Sequence, residues 1–147
     1  MLKTMAVISQ LLIHDVPIEC INAAAVNYQV PATTIISVLN TEGGRTGLEH
    51  KNDNGSIDYG SMQINSLWLP KLAQYGISKE ELRDNACTNV EVGTWILSQA
   101  IADGLMNEKP YLESVAGYNS KTPRFNQQYQ KLVLKQQQRL EKILQEA

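Results

Sequence analysis

Glu42-Gly43-Gly44, followed after a polar run by Asn54-Gly55-Ser56-Ile57-Asp58-Tyr59-Gly60-Ser61-Met62-Gln63-Ile64-Asn65, is the most informative part of this chain. Upstream of it, Pro31 suits the first turn of a helix, and Ile35, Ile36, Val38 and Leu39 give that helix an apolar face. Gly43 and Gly44 end it, because glycine takes the left-handed cap conformation without a Cβ clash. Glu42 is thereby expected at the carboxyl end of a buried helix, where negative charge is disfavoured. Downstream, Asn54-Gly55 is a tight-turn signal between short segments able to pair as a hairpin. From Asp58 to Asn65 the polar groups are too dense for a core strand and the apolar ones too regular for a free loop. Such a segment makes sense as a cleft wall, with one carboxyl group facing hydrogen-bonding side chains that hold a polar substrate.

Outward from this stretch, nearly everything reads as helix. Ile18, Ile21, Ala24, Ala25 and Tyr28 recur at helical spacing. A helical pattern from Leu69 to Tyr75 stops at Gly76, and Ser78 with Glu81 has capping-box spacing. Val90, Gly93, Leu97, Ala100 and Ile101 make one face of a helix expected to end near Gly104. Tyr111, Leu112, Val115 and Ala116 make another, and Pro123 opens a last helix through Leu144. That last helix reads as a packing element with Gln136 to Gln138 on its wet face. Trp68 and Trp95 read as packing residues, Trp95 the more clearly of the two.

The 147 residues fit one domain, 1–147, with an adequate core. Hydrophobic residues at 43% and charged residues at 19% describe an ordinary globular protein rather than a disordered one. The net charge of −2 argues against nucleic acid as a partner. No run of about 18 apolar residues exists, so no membrane span is expected. His14 and His50 stand alone, without metal-ligand or triad spacing, so no metal and no cofactor is assigned. Residues 1–16 read either as a weak signal peptide, with one Lys and no clear cleavage site, or as a first helix with Met5, Ile8, Leu11 and Leu12 on one face. Cys20 and Cys87 are too few for a disulfide-dense scaffold or a four-cysteine zinc site.

The quoted stretch resembles the lysozyme-like lytic transglycosylases, which cleave bacterial peptidoglycan. The likeness is greatest to their small members that accompany type IV secretion, conjugation and pilus systems. Trp68-Leu69-Pro70, Cys87-Thr88-Asn89-Val90, Val92-Gly93-Thr94-Trp95-Ile96-Leu97 and Tyr118-Asn119-Ser120-Lys121-Thr122-Pro123 with Asn126, Tyr129 and Val133 extend the resemblance over roughly Ile18 to Val133. It implies a mainly α, lysozyme-like single domain with a small β-hairpin beside the active-site cleft.

The resemblance also implies a chemistry. Glu42, kept neutral by burial, would protonate the β-1,4 oxygen between N-acetylmuramic acid and N-acetylglucosamine. As a carboxylate it would then take the C6 hydroxyl proton, closing a 1,6-anhydro ring without water. Gln63 and Asn65 would line the cleft, with amides suited to sugar hydroxyls and N-acetyl groups. Tyr118 and Asn119 match the family's tyrosine-asparagine motif, whose tyrosine hydroxyl lies near the catalytic carboxyl or contacts the sugar. Gly43 stands where many members have Ser. Asp58, sixteen positions after Glu42 in a segment also similar to animal-type lysozymes, leaves open a hydrolytic muramidase using both carboxyl groups, or a turn-bracing role for Asp58. A non-catalytic glycan-binding assembly subunit is the third alternative.

In the resembling subgroup the cysteines at positions 20 and 87 pair, which implies an oxidising compartment, the periplasm or cell envelope; buried free thiols are the alternative. The expected partners are glycan strands of peptidoglycan and components of a secretion or conjugation machine, with the chain itself a monomer. Because peptidoglycan is largely anionic, a net charge of −2 predicts local wall opening rather than bulk lysis aided by a basic surface.

Overall fold

Pro17 and Pro31 each precede a helix whose first turn has no use for a proline N–H, and both hold extended backbone angles there. The computed structural model describes residues 15–146, so the expectation for the first 16 residues falls almost wholly outside it. Seven α-helices lie within those residues: α1 (Ile18–Tyr28), α2 (Ala32–Glu42), α3 (Leu69–Ala73), α4 (Lys79–Asp84), α5 (Ala86–Met106), α6 (Tyr111–Ala116) and α7 (Pro123–Glu146). Between α2 and α3 run β1 (Glu49–Lys51), β2 (Ile57–Tyr59), β3 (Ile64–Asn65) and a 3₁₀ turn, Ser66–Trp68. The fold is mainly α, as the resemblance implied. The hairpin is β1–β2, with Glu49 opposite Tyr59 and Gly55 in the left-handed conformation at its turn. A short third strand, β3, pairs antiparallel with β2 and widens the hairpin into a small sheet.

The long helix α5 is the centre of the packing: α1, α4 and α6 lie against it, while α7 covers α2 and α6. Ile21 and Ala24 of α1, Ile35 and Val38 of α2, Val90 and Leu97 of α5, Val115 of α6 and Val133 and Leu140 of α7 meet in one apolar core. Helix α5 ends at Met106, near Gly104 as the sequence predicts, with Gly104 itself inside its last turn. That glycine is buried against Ser114 of α6, where a Cβ would overlap the serine side chain. The glycine serves close helix approach.

The side chain of Asn89, 1% exposed, joins the helices to the sheet. Its Nδ2 donates to the carbonyls of Tyr59 and Leu82 at 2.9 Å each, and its Oδ1 accepts the N–H of Met62 at 2.8 Å. Cys20 of α1 and Cys87 of α5 form a disulfide, joining positions 67 apart in sequence. Among the described residues no helix is long and apolar enough to cross a membrane.

Candidate active site

Helix α2 ends on Glu42, and Gly43 caps it in the left-handed conformation (φ 68°), its N–H bonded to the carbonyl of Leu39. Gly44 follows for a different reason. A Cβ there would run into the carbonyls of Gly60 and Ser61, so the chain leaving α2 lies directly against the sheet connection. Gln63 holds the left-handed conformation (φ 52°), a strained one for a residue with a side chain, and its Nε2 donates to the Gly60 carbonyl at 2.9 Å. Together these contacts place the end of α2 opposite β2 and β3 across a cleft of about 350 Å³.

All six candidate site residues, Glu42, Asp58, Gln63, Asn65, Tyr118 and Asn119, line this cleft, together with Ile64, Leu67, Trp68 and Ile96. Trp68 thus belongs to the cleft wall as well as to a packing pair: its ring meets Trp95 edge-on, 5.6 Å between centroids.

Within the cleft, Glu42 has the most perturbed carboxyl group. Burial raises its pKa from an ordinary 4.5 to about 7; a hydrogen bond from Tyr129 opposes that rise, and the charge of Asp58 adds to it. The hydroxyl of Tyr129 donates to Glu42 Oε2 at 2.6 Å. The Tyr129 hydroxyl is itself pushed far up by burial and by the Glu42 carboxylate, so it stays a donor.

Tyr118 lies on the cleft wall without a hydrogen bond to the carboxyl group. Its hydroxyl donates 2.7 Å to the backbone carbonyl of Met62, and the hydroxyl on the carboxyl group is that of Tyr129. Burial, then the charges of Glu42 and Asp58, raise the Tyr118 pKa well above its ordinary value, so Tyr118 is a neutral wall beside the acid. Asn65 donates from Nδ2 to Asp58 Oδ1 at 2.9 Å and to Ser56 Oγ at 3.0 Å, and its Oδ1 accepts the Leu67 N–H. Its hydrogen-bonding atoms are therefore engaged within the protein. The amide fixes the Asp58 carboxyl on the cleft wall.

Tyr129 is the site residue to which the sequence assigned no role, although it lies among the residues that carry the resemblance. Its signal was available: it lies on the inward stripe Tyr129-Val133-Leu140 of α7, and an inward tyrosine needs a buried partner for its hydroxyl.

A carboxyl group titrating near neutrality in a polar cleft, faced by a second carboxyl group, is equipped to give a proton to a glycosidic oxygen and take one back. Comparison with known proteins identifies the family. The family model for the transglycosylase SLT domain matches residues 19–140. A peptidoglycan-binding-like protein of Escherichia coli O157:H7 is 35% identical over 86 residues, covering 53% of this chain and 52% of its own length. Protein IpgF of Shigella flexneri is 30% identical over 105 residues, covering 71% and 66%. Invasion protein IagB of Salmonella typhimurium is 31% identical over 106 residues, covering 71% and 63%. The chain spans between half and two-thirds of the length of these relatives. By the extent of the family match, from α1 to the inner stripe of α7, this chain belongs to the SLT transglycosylase domain family.

Proposed function

We propose that this protein is a peptidoglycan lytic transglycosylase that cuts the β-1,4 bond between N-acetylmuramic acid and N-acetylglucosamine. The observation carrying this is the Glu42 carboxyl group, raised to about 7 at the buried end of α2 and held by Tyr129. Protonated, it donates to the bridging oxygen as the C1–O bond breaks and the N-acetylglucosamine end departs. The resulting carboxylate accepts the proton of the C6 hydroxyl of the muramic acid while O6 bonds to C1. A 1,6-anhydro end forms, no water is consumed, and Glu42 regains its proton. Tyr129 positions the carboxyl group and stabilises its ionised form between the two steps. Gln63, Trp68, Tyr118 and Asn119 form the walls against which the strand lies.

A hydrolytic muramidase is the second possibility, favoured by one observation: Asp58 faces the same cleft with its carboxyl held by Asn65. There Asp58 would stabilise or trap the sugar cation until water attacks. Digestion of purified sacculi followed by mass spectrometry decides the matter. Anhydromuropeptides are the expected products. Reducing ends would establish the muramidase, and an absence of products would leave a glycan-binding subunit.

Acting on peptidoglycan places the protein in the cell envelope, in keeping with the Cys20–Cys87 disulfide. Its task there is local wall opening for a secretion apparatus. Likeness to a relative named as an invasion protein points that setting toward host invasion rather than conjugation.

A further inference from the structure

Five of the chain's 13 basic residues, Arg124, Lys131, Lys135, Arg139 and Lys142, lie on α7, against only two of its 15 acids, Glu141 and Glu146. The remainder of the chain is left with eight basic residues and thirteen acids. The net charge of −2 therefore hides a segregation, a cationic last helix on an acidic body. At about 100° per residue the five cations fall within about 80° of arc, on the side of α7 opposite the inward Asn126, Tyr129, Val133 and Leu140. All five are exposed. None is in an ion pair among the described residues, where Arg83, Lys109 and Lys121 supply the bridges. From Arg124 to Lys142 the row extends about 27 Å, at 1.5 Å per residue. Gln127, Gln128 and Gln138 are exposed among these cations.

We propose that this ridge is a second binding surface, outside the cleft, for an anionic, hydroxyl-rich polymer, namely peptidoglycan strands other than the one being cut. A straight row of unpaired cations matches a linear polyanion rather than a point ligand. The interspersed glutamines offer amide donors and acceptors that sugar hydroxyls and stem-peptide amides satisfy. A lipid-binding helix turns aromatic and aliphatic side chains toward the bilayer. Here the exposed Leu132 and Leu134 lie at the two edges of the ridge instead of along it. Because the inner face of α7 holds Glu42 through Tyr129, one helix carries the ridge outside and the tyrosine that positions the acid inside. The acidic remainder of the surface would otherwise repel the polymer.

The choice of polymer rests on the proposed function, and the test separates the two. The full-length chain is sedimented with insoluble sacculi over a range of salt, as wild type, as Lys131→Glu/Lys135→Glu/Arg139→Glu, and as Glu42→Gln. Expected is salt-sensitive binding that falls about tenfold or more at low ionic strength in the triple variant, with an unchanged helical circular dichroism spectrum. Expected also is binding retained by Glu42→Gln, whatever products the wild type yields, so a failure of catalysis would not imitate a failure of the ridge. A milder variant, Lys131→Gln/Lys135→Gln, should lose part of the affinity. Sacculus binding equal in wild type and triple variant would overturn the proposal. So would a loss confined to phosphatidylglycerol vesicles, which would mark the ridge as a membrane surface.

Discussion

The Tyr129 hydroxyl and the Glu42 carboxyl group lie 2.6 Å apart although 87 positions separate them in sequence. The end of α2 and the inner stripe of α7 thus share one hydrogen bond, and it bears directly on the titration of the acid. Activity in kcat/KM should be highest while Glu42 is protonated and decline above a pH of about 7. Tyr129→Phe removes the donor that favours the carboxylate, so the alkaline limb should move to higher pH. The lost positioning should lower kcat by roughly tenfold. A pH–rate profile of both proteins checks the direction, and a limb that moved down in the variant would contradict it.

Stability should carry the same signature. The folded state holds the Glu42 proton more tightly than the unfolded chain does, so the contribution of this group to stability is fully present below about 4.5 and is lost as pH rises through about 7. Glu42→Gln cannot ionise and should escape that loss. Relative to wild type it should gain roughly 1–3 kcal/mol between pH 4 and pH 8, as measured by urea unfolding at the two pH values. The same variant should make no product from sacculi.

Asp58→Asn preserves an oxygen to accept the hydrogen bond from Asn65 while removing the charge. In a transglycosylase working through Glu42 alone, the anhydro product should persist with a modest loss of rate. The alkaline limb should shift slightly downward, because a charge that raises the Glu42 pKa is gone. Complete loss of cleavage in this variant would instead assign Asp58 a direct part in the reaction.

Asn89 offers a test of the cleft floor. Asn89→Ala strands the Met62 N–H and the carbonyls of Tyr59 and Leu82 in a buried place. The expected cost is roughly 3 kcal/mol or more, read as a lower urea midpoint. Asn89→Asp keeps the acceptor for Met62 but replaces the donor, and it should be destabilised as well.

Much of this architecture is legible in the residue order, because the helices announce themselves locally. Proline before α1, α2 and α7, the apolar periodicity of α5 and the Ser78 cap on α4 are signals carried within a few positions. The Asn54-Gly55 turn and the polar wall from Asp58 to Asn65 are likewise local, which is why the cleft residues could be named before they were seen together. What escaped is long-range. Whether Tyr118, in the turn after α6, or Tyr129, on α7, meets the acid depends on how those segments pack against the end of α2. That Asn65 also holds Ser56, Asp58 and Leu67 is a matter of folded geometry that nothing nearby in sequence reveals. The contact of Gly104 with Ser114 is likewise tertiary and has no local signal. Net charge hides an arrangement in the same manner: a sum over the chain erases the row of cations on α7.

The cross-link between Cys20 and Cys87 has a consequence for the timing of activity. A ring of 67 residues restrains the unfolded chain by about 4 kcal/mol in a chain-entropy account, a large part of the stability of a domain this size. Thiol-rich surroundings withhold that restraint. The reduced polypeptide is therefore a looser molecule than the oxidised one, and its full stability waits on surroundings in which the two thiols can join.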